Sequence, residues 1–367
     1  MGKLTRVIPA TEVVERSITI SRAQGDDLRA WGALNDIYLQ ELPAQADWTF
    51  LMATSALSTS ARYITGTATV NTGATAVTFT GATIPSGTTG WRMRFNDNPN
   101  VYDWTFVSSS NGTIAPALSE DRNISGGAFT LFNPYYTLAT NFDRFPKNGG
   151  LQLWQGAKPT PVPEMPIQEY FDEFSASPGR PAKCQLIAPD TLNRAQVELV
   201  PPPDKVYLMP YHYIYAPTPL RETTGGVATV AASGTGATFQ GAVRVGEMVT
   251  GMYFRIDNFG EDADSEWHQI VSVSAANSNV TFQSTFTTSA ANSANYTVCN
   301  VPVYPLVLHG ALLHGVVKRL LADQNDKTFI YTDSLQTAAI NDAKRLFRTR
   351  TYNQEIETVF DEYHYRR

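Results

Sequence analysis

The sequence predicts an α+β protein. Its framework is helical and discontinuous, with a β-strand-rich middle, and it carries two inserted small β-barrel or sandwich modules related by internal duplication. Three observations predict this. Lysine is absent between Lys3 and Lys147 and again between Lys205 and Lys318, and each gap holds a stretch rich in Gly, Thr, Ser, Ala and Val. The two stretches, about Ile64 to Phe132 and Gly225 to Cys299, resemble each other. Around them lie helical periodicities near both ends of the chain and proline-bounded strand patterns between. The segmentation is 1–63 framework with an N-terminal helix, 64–132 first module, 133–224 framework strands, 225–300 second module, and 301–367 C-terminal helices and tail.

The opening MGKLTRVIPATEVVERS puts charges where a secretory leader needs an apolar run. Arg6 stands where a myristoylation signal wants Ser or Thr. Synthesis as a soluble protein in a cytoplasm is the expectation. Leu28, Trp31, Asn35, Tyr38 and Leu42 then recur at spacings of three and four, one stripe of an amphipathic helix with Pro43 just past its end. Asn35 is a polar residue on that stripe, either buried and hydrogen-bonded or marking the stripe's edge.

In the modules, TGTATV (Thr65 to Val70) matches GGVATV (Gly225 to Val230), and Phe79-Thr80-Gly81 matches Phe239-Gln240-Gly241. Gly90 to Phe95 matches Gly251 to Ile256, Phe106-Val107-Ser108 matches Ile270-Val271-Ser272, and Ala128 to Leu131 matches Asn295 to Val298. The strands are short and alternate. Trp91, Met93 and Phe95 share one face with Arg92 and Arg94 opposite, and Met252, Phe254 and Ile256 oppose Tyr253, Arg255 and Asp257. Gly, Asn111-Gly112 and Pro punctuate them, as in a small barrel or sandwich. A core of about 70 residues is marginal alone, so supporting protein is expected around each.

Between the modules, Leu186 to Ala188, Gln196 to Val200 and Val206 to Tyr215 read as strands, the last with Tyr211, Tyr213 and Tyr215 on one face. Pro201-Pro202-Pro203-Asp204 forms a turn between two of them, because proline cannot donate to a ladder. Ile167 to Phe174 is a short helix or an extended arm. Near the C-terminus, Pro305 opens a helix whose apolar residues, from Leu306 through Leu312, Val316 and Leu320, run almost all round its axis. Such a helix is buried in a core or between subunits, and Leu306, Leu312, Val316 and Leu320 are the candidate inter-subunit residues. Asp333 is the expected N-cap of a second helix with Leu335, Ala339, Ala343 and Leu346 as its stripe. The tail after it carries Tyr352, Phe360, Tyr363, Tyr365, Arg366 and Arg367, residue types favoured as interface anchors.

The 367 residues suffice for about two to three domains. The hydrophobic fraction of 43% excludes global disorder, and the net charge of -6 argues against a basic nucleic-acid-binding face. Cys184 and Cys299 are too few for a disulfide framework or a zinc site. The apolar run Val301 to Val317 is broken by prolines, Gly310, His309 and His314, too interrupted for a membrane anchor. Those histidines lie five apart, about 140° round a helix, and read as core or interface residues. DNFGEDADSE (Asp257 to Glu266) lacks EF-hand spacing and reads as a solvated loop. No Walker loop, HExxH or GxSxG motif is present, and no acid/base pair stands out. No cofactor or metal is expected, and no enzymatic activity.

Several runs resemble the head-to-tail adaptor proteins of tailed bacteriophages: LNDIYLQEL (Leu34 to Leu42) with Asp47-Trp48 following, SPGRPAKCQLI (Ser177 to Ile187), QVELVPPPD (Gln196 to Asp204), VYLMPYHYIYAPTPL (Val206 to Leu220), and the C-terminal helical pair. The β modules are similar to the barrel inserted in some of these adaptors, with its TGT-V opening, Gly-aromatic-x-x-Arg-Ile middle and Tyr-Thr-Val close; two modules instead of one is a departure. The resemblance implies a structural virion protein of the neck, assembled as a ring homo-oligomer, typically a dodecamer, beneath the phage portal protein. Such a ring continues the DNA channel for genome ejection, and genomic DNA passes through without specific binding. The C-terminal segment docks on the portal, and outward barrels seat tail, nozzle or fibre proteins. The alternative is a receptor-binding or decoration protein whose β modules bind glycan or another protein. A tail-associated polysaccharide hydrolase is a third reading.

Overall fold

A computed structural model describes residues 8–347 apart from 24, 99, 120–122, 148, 156–157, 166–176, 225–226, 232–233, 241–247, 257–266, 275–278, 287–290 and 325. The arm at Ile167 to Phe174, the acidic loop at 257–266 and the aromatic tail fall outside the described residues. The fold is mixed α and β, mostly strands, with four longer helices. The chain divides into two compact units, Leu51–Ala216 and the pair of segments Met1–Phe50 and Pro217–Arg367.

The 51–216 unit begins with β1 (Met52–Ser58). The first module follows as β2 (Thr67–Val70), β3 (Ala76–Thr80), β4 (Arg92–Phe95), β5 (Val101–Ser108), β6 (Asn111–Ala115), β7 (Ile124–Gly127) and β8 (Phe129–Phe132). After it come β9 (Tyr135–Thr137), β10 (Phe142–Arg144), β11 (Gly150–Gln155), β12 (Lys158–Pro163), β13 (Lys183–Ile187), β14 (Gln196–Val200) and β15 (Leu208–Tyr215). They form a sheet ordered β1-β15-β11-β12, with β10 also on β15, and a second ordered β13-β14-β9. Alternation on β15 sends Met209, Tyr211 and Tyr213 into a core shared with Leu153, Val162, Val197 and Leu199. The opposite face of that first sheet is turned outward. Ser58 pairs with Leu208 and Ala56 with Pro210, while Trp154 pairs with Pro159 and Gln152 with Pro161.

The other unit opens with α1 (Ala10–Ser21), which the sequence reading did not name. Ser17 and Ser21 donate back to the Val13 and Ser17 carbonyls, which spares a buried helix face from orphaned hydroxyls. Next comes α2 (Asp27–Asp36), continued by a π turn, Ile37–Glu41, and a last α turn, Leu42–Gln45. β16 (Glu222–Thr224) leads into the second module: β17 (Val227–Val230), β18 (Gly236–Gln240), β19 (Tyr253–Ile256), β20 (His268–Ser274), β21 (Asn279–Phe282), β22 (Ala291–Ala294) and β23 (Tyr296–Cys299). The helices α3 (Leu306–Asp323) and α4 (Phe329–Phe347) close the described chain.

The module sheets run β7-β2-β3-β6-β5-β4-β8 and β22-β17-β18-β21-β20-β19-β23, the same order strand for strand, with β16 added beyond β23. In each, one segment pairs with both ends of the sheet, β7 and β8 being separated by Ala128 and β22 and β23 by Asn295, so the sheet curls round. Buried Met93 and Phe95 alternate with half-buried Arg92 and Arg94, and buried Phe254 and Ile256 with half-buried Tyr253 and Arg255. The residue correspondence needs one correction. The Trp104 N–H donates to the Trp91 carbonyl (2.9 Å) and the Ile270 N–H to the Met252 carbonyl (2.8 Å), so Ile270 occupies the place of Trp104, not Phe106. A slip of two residues keeps every side chain on its face, which is why alternation does not reveal it.

Candidate assembly interface

The first C-terminal helix, α3, carries the candidate inter-subunit residues. Of the four residues named on α3, Leu312 and Val316 are 0% exposed, Leu320 is 2% exposed, and Leu306 is 37% exposed. The first three are covered by the chain's own helices: α1, α2 and α4 all pack on α3. Gly315 permits this approach, since a Cβ there would lie 2.7 Å from Gln336 Nε2 and 2.8 Å from Ile37 Cδ1. The α3 surface is not apolar all round. Lys318 pairs with Asp333 (2.6 Å), and Arg319 reaches both Asp36 (2.8 Å) and Glu41.

Asp333 therefore lies inside α4 as the partner of Lys318 and is not its N-cap. Asp326 heads the helix instead, accepting from the Thr328 N–H (2.9 Å) and hydroxyl (2.8 Å), bonds that hold its carboxyl below the ordinary range. The expected α4 stripe holds at buried Ala343, is half-buried at Leu335 and Ala339, and fails at Leu346. Thr332, Gln336 and Ala343 are buried, while Leu346 is 69% exposed. Polar Gln336 fits the core position over Gly315, and no hydrophobicity pattern reveals that. The tail candidates Tyr352, Phe360, Tyr363, Tyr365, Arg366 and Arg367 lie outside the described residues.

The N-terminal helix buries Tyr38 and Leu42 of its predicted stripe but departs from the expectation at Leu28 and at the predicted stop, Pro43. Leu28 is 90% exposed, and the buried face is Ala30, Ala33, Leu34, Ile37, Tyr38 and Leu42. Pro43 does not end the helix, because the π turn makes room for it: the Leu42 N–H reaches back five residues to the Ile37 carbonyl. Pro43 has no N–H to offer the Tyr38 carbonyl, and the buried Tyr304 hydroxyl donates to it instead. Trp48, wholly buried, donates from its indole to the Leu42 carbonyl (2.7 Å). Asn35 resolves to the hydrogen-bonded alternative, half-buried: its side chain accepts from the Leu220 N–H (2.8 Å) and donates to the Leu220 carbonyl (2.9 Å). His309 is buried with Nε2 2.9 Å from the Tyr304 carbonyl, and burial pushes its pKa down, as it does for half-buried His314.

The segments named from the middle of the chain also meet. The Gly179 N–H donates to the Pro202 carbonyl (2.7 Å) and the Asp204 N–H to the Gly179 carbonyl (3.1 Å). The Tyr207 hydroxyl donates to Asp204 (2.6 Å), which lowers the Asp204 pKa. Burial pushes the Cys184 thiol up to about 12 and the Cys299 thiol to about 11, so both are protonated and unreactive. Among the described residues no three His, Cys, Asp or Glu side chains are grouped to hold a metal, and no helix is long and apolar enough to cross a membrane. A groove lined by Glu41, Gln45, Lys318, Asp333 and Lys344 has its charges engaged: Lys318 on Asp333, Glu41 on Arg319, and Lys344 on Gln45 (3.1 Å).

The feature that sequence reading missed is the outward face of the β1-β15-β11-β12 sheet. Its one signal was the period-two proline run in Lys158-Pro159-Thr160-Pro161-Val162-Pro163, which marks an edge strand. No protein-family model matches the chain, and no curated protein is significantly similar to it.

Proposed function

We propose that the chain is a structural virion protein, a head-to-tail adaptor that assembles as a ring, with about twelve copies implied by the resemblance, between portal and tail. The observation that carries this reading is how the modules are inserted. Tyr63, entering the first module, pairs with Leu131 as the chain leaves it (N–H to carbonyl 2.7 and 2.9 Å). Thr223 pairs with Val298 at the corresponding place in the second. Each module enters and leaves through neighbouring strands, so a framework can carry it without interruption. The shared strand order and the matching turn hydrogen bonds favour a duplicated insert. The helical framework, assembled from N- and C-terminal segments, would brace the channel, and an acidic chain would let DNA pass without gripping it. The tail from Tyr352 to Arg367 would reach the portal. The chain acts by assembly, without catalysis or a cofactor.

The test is the mass and shape of the protein purified from the cells that naturally make it, by native mass spectrometry and negative-stain microscopy. A ring, or co-purification with a portal-sized ring protein, is expected. A trimer or monomer bound only to fibres would favour the receptor-binding alternative. Deleting Tyr352 to Arg367 should abolish portal binding and leave the melting transition intact; unchanged affinity would remove the tail from the mechanism.

A further inference from the structure

The outward face of the β1-β15-β11-β12 sheet is mostly apolar and exposed around Leu208, while Ile214 at the far end of β15 is buried. Trp154 on β11 is 55% exposed and Leu208 on β15 57%. Pro159 and Pro161 are exposed beside Trp154 and Gln152, and Ala56 is exposed on β1. Outward positions on the four strands carry no Asp, Glu, Lys or Arg among the described side chains, and His212 is the one titratable group there. This differs from a stray surface leucine, because the residues lie on adjacent strands and form one patch.

Three features constrain what covers it. The edge strand β12 has proline at 159, 161 and 163, so it offers no N–H at those positions and cannot accept a further strand in regular pairing. The occupant must lie on the face and not extend the edge. The charged group that β10 adds beside Ile214, Arg144, is paired with Asp143 (2.6 Å), so the described face carries no unpaired charge while the chain carries a net charge of -6, and copies of this chain meet here with the least like-charge repulsion. Four strands at about 4.8 Å and three outward rows at about 7 Å give roughly 400 Å². That is about half of what one partner buries in a standard stable pair, too little to hold an isolated dimer. It suits a contact repeated round a closed assembly, where every copy is held by two neighbours.

We infer that this sheet face seats the neighbouring copy of the chain, with Trp154 and Leu208 as its anchors. The inference rests on the ring reading and names the surface through which the ring closes. The test places a photo-crosslinking residue at 208, at 154, or, as a control on the same unit, at exposed Leu192, in the full chain expressed in the cells that naturally make it. A self-adduct of twice the chain mass from 208 and 154, and none from 192, is expected. An adduct with a different protein, no adduct, or equal self-adducts from all three positions would overturn the inference. The assembly reading is judged separately, by the mass of the unmodified protein from the same cells: a wild-type ring with no self-adduct at 208 removes this surface and leaves the ring standing. In a second arm, Leu208→Glu is expected to lower the ring population by about tenfold or more while the melting curve stays unchanged. Undiminished rings in a folded Leu208→Glu protein would equally overturn it.

Discussion

The two β modules share one hydrogen-bonded frame and fill it in opposite ways. In the first, Trp104 lies over Gly112, where a Cβ would come within 1.9 Å of Trp104 Cη2. In the second, the corresponding places hold Ile270 and Val280, both buried. The residue across from Gly112 is Val77, and the one across from Val280 is Ala237. Large and small exchange at neighbouring places, so each curled sheet is filled by a different set of side chains. The frame is set by turns and alternation, the packing by complementary pairs, and the two vary independently.

The largest expected effect breaks that complementarity. Gly112→Val should destabilise the first module by more than about 3 kcal/mol, because the ring of Trp104 occupies the space the side chain needs. Adding Trp104→Ile, which copies the second module's solution, should recover much of the loss. Hydrogen exchange on peptides from β5 and β6 reads both. A double variant no more stable than Gly112→Val alone would show that the two modules are not interchangeable at this site.

A smaller and symmetrical effect tests the shared frame. Gly90 and Gly251 both have positive φ, +88° and +96°, and neither has a neighbour within 4 Å of an added Cβ. Each turn places the glycine N–H on the same partner strand, on the Trp104 carbonyl in one module and the Ile270 carbonyl in the other. Alanine at either position should cost about 1–2 kcal/mol through backbone strain alone. The two losses should agree, measured by exchange protection in each barrel. Clearly unequal losses would mean the turns are held differently.

These turns and alternations were readable before any coordinates, and so was β14, found at Gln196–Val200 as expected. They depend on neighbours in sequence. What escaped notice depends on neighbours in space. Leu28 belongs to the helical stripe by spacing yet points to solvent, and Gln336 belongs to the core because Gly315 lies opposite it. Pro43 reads as a stop until a π turn and the distant Tyr304 hydroxyl supply what it lacks. The outward sheet face required the register between β15 and β11, where Leu151 pairs with Tyr211, 60 residues on, which no local pattern encodes.

The unit that carries the second module should also lose stability on acidification. Burial holds His309 and His314, in the unit with the second module, below the ordinary imidazole range. Protons therefore bind the unfolded chain first as pH falls through about 6.5. Stability that is full above that pH is lost below it, down to the folded-state values. Exchange protection of α3 should fall between pH 7 and 5, and His309→Gln, which keeps a donor toward the Tyr304 carbonyl, should flatten the fall. A profile as steep as the wild type's would assign the protons to another group.

The smallest effect concerns how each module is tied down. Arg94 and Arg255 occupy the same place on β4 and β19 but meet different partners. Arg94 donates to the Ser177 hydroxyl (3.0 Å), a neutral group. Arg255 pairs with Glu15 on α1 (2.8 Å) and lies over the Trp267 ring (4.6 Å from its centroid). An ion pair is screened by salt and a neutral hydrogen bond is not. Arg255→Ala should therefore cost about 0.5–1 kcal/mol at low ionic strength, with a loss that shrinks toward the cation–π remainder as salt rises. Arg94→Ala should cost about 0.5 kcal/mol or less at any salt concentration. Thermal melts of both variants in low and high sodium chloride separate the two cases. If both losses respond to salt alike, the anchors differ in name only, and the second module is not held to α1 by charge.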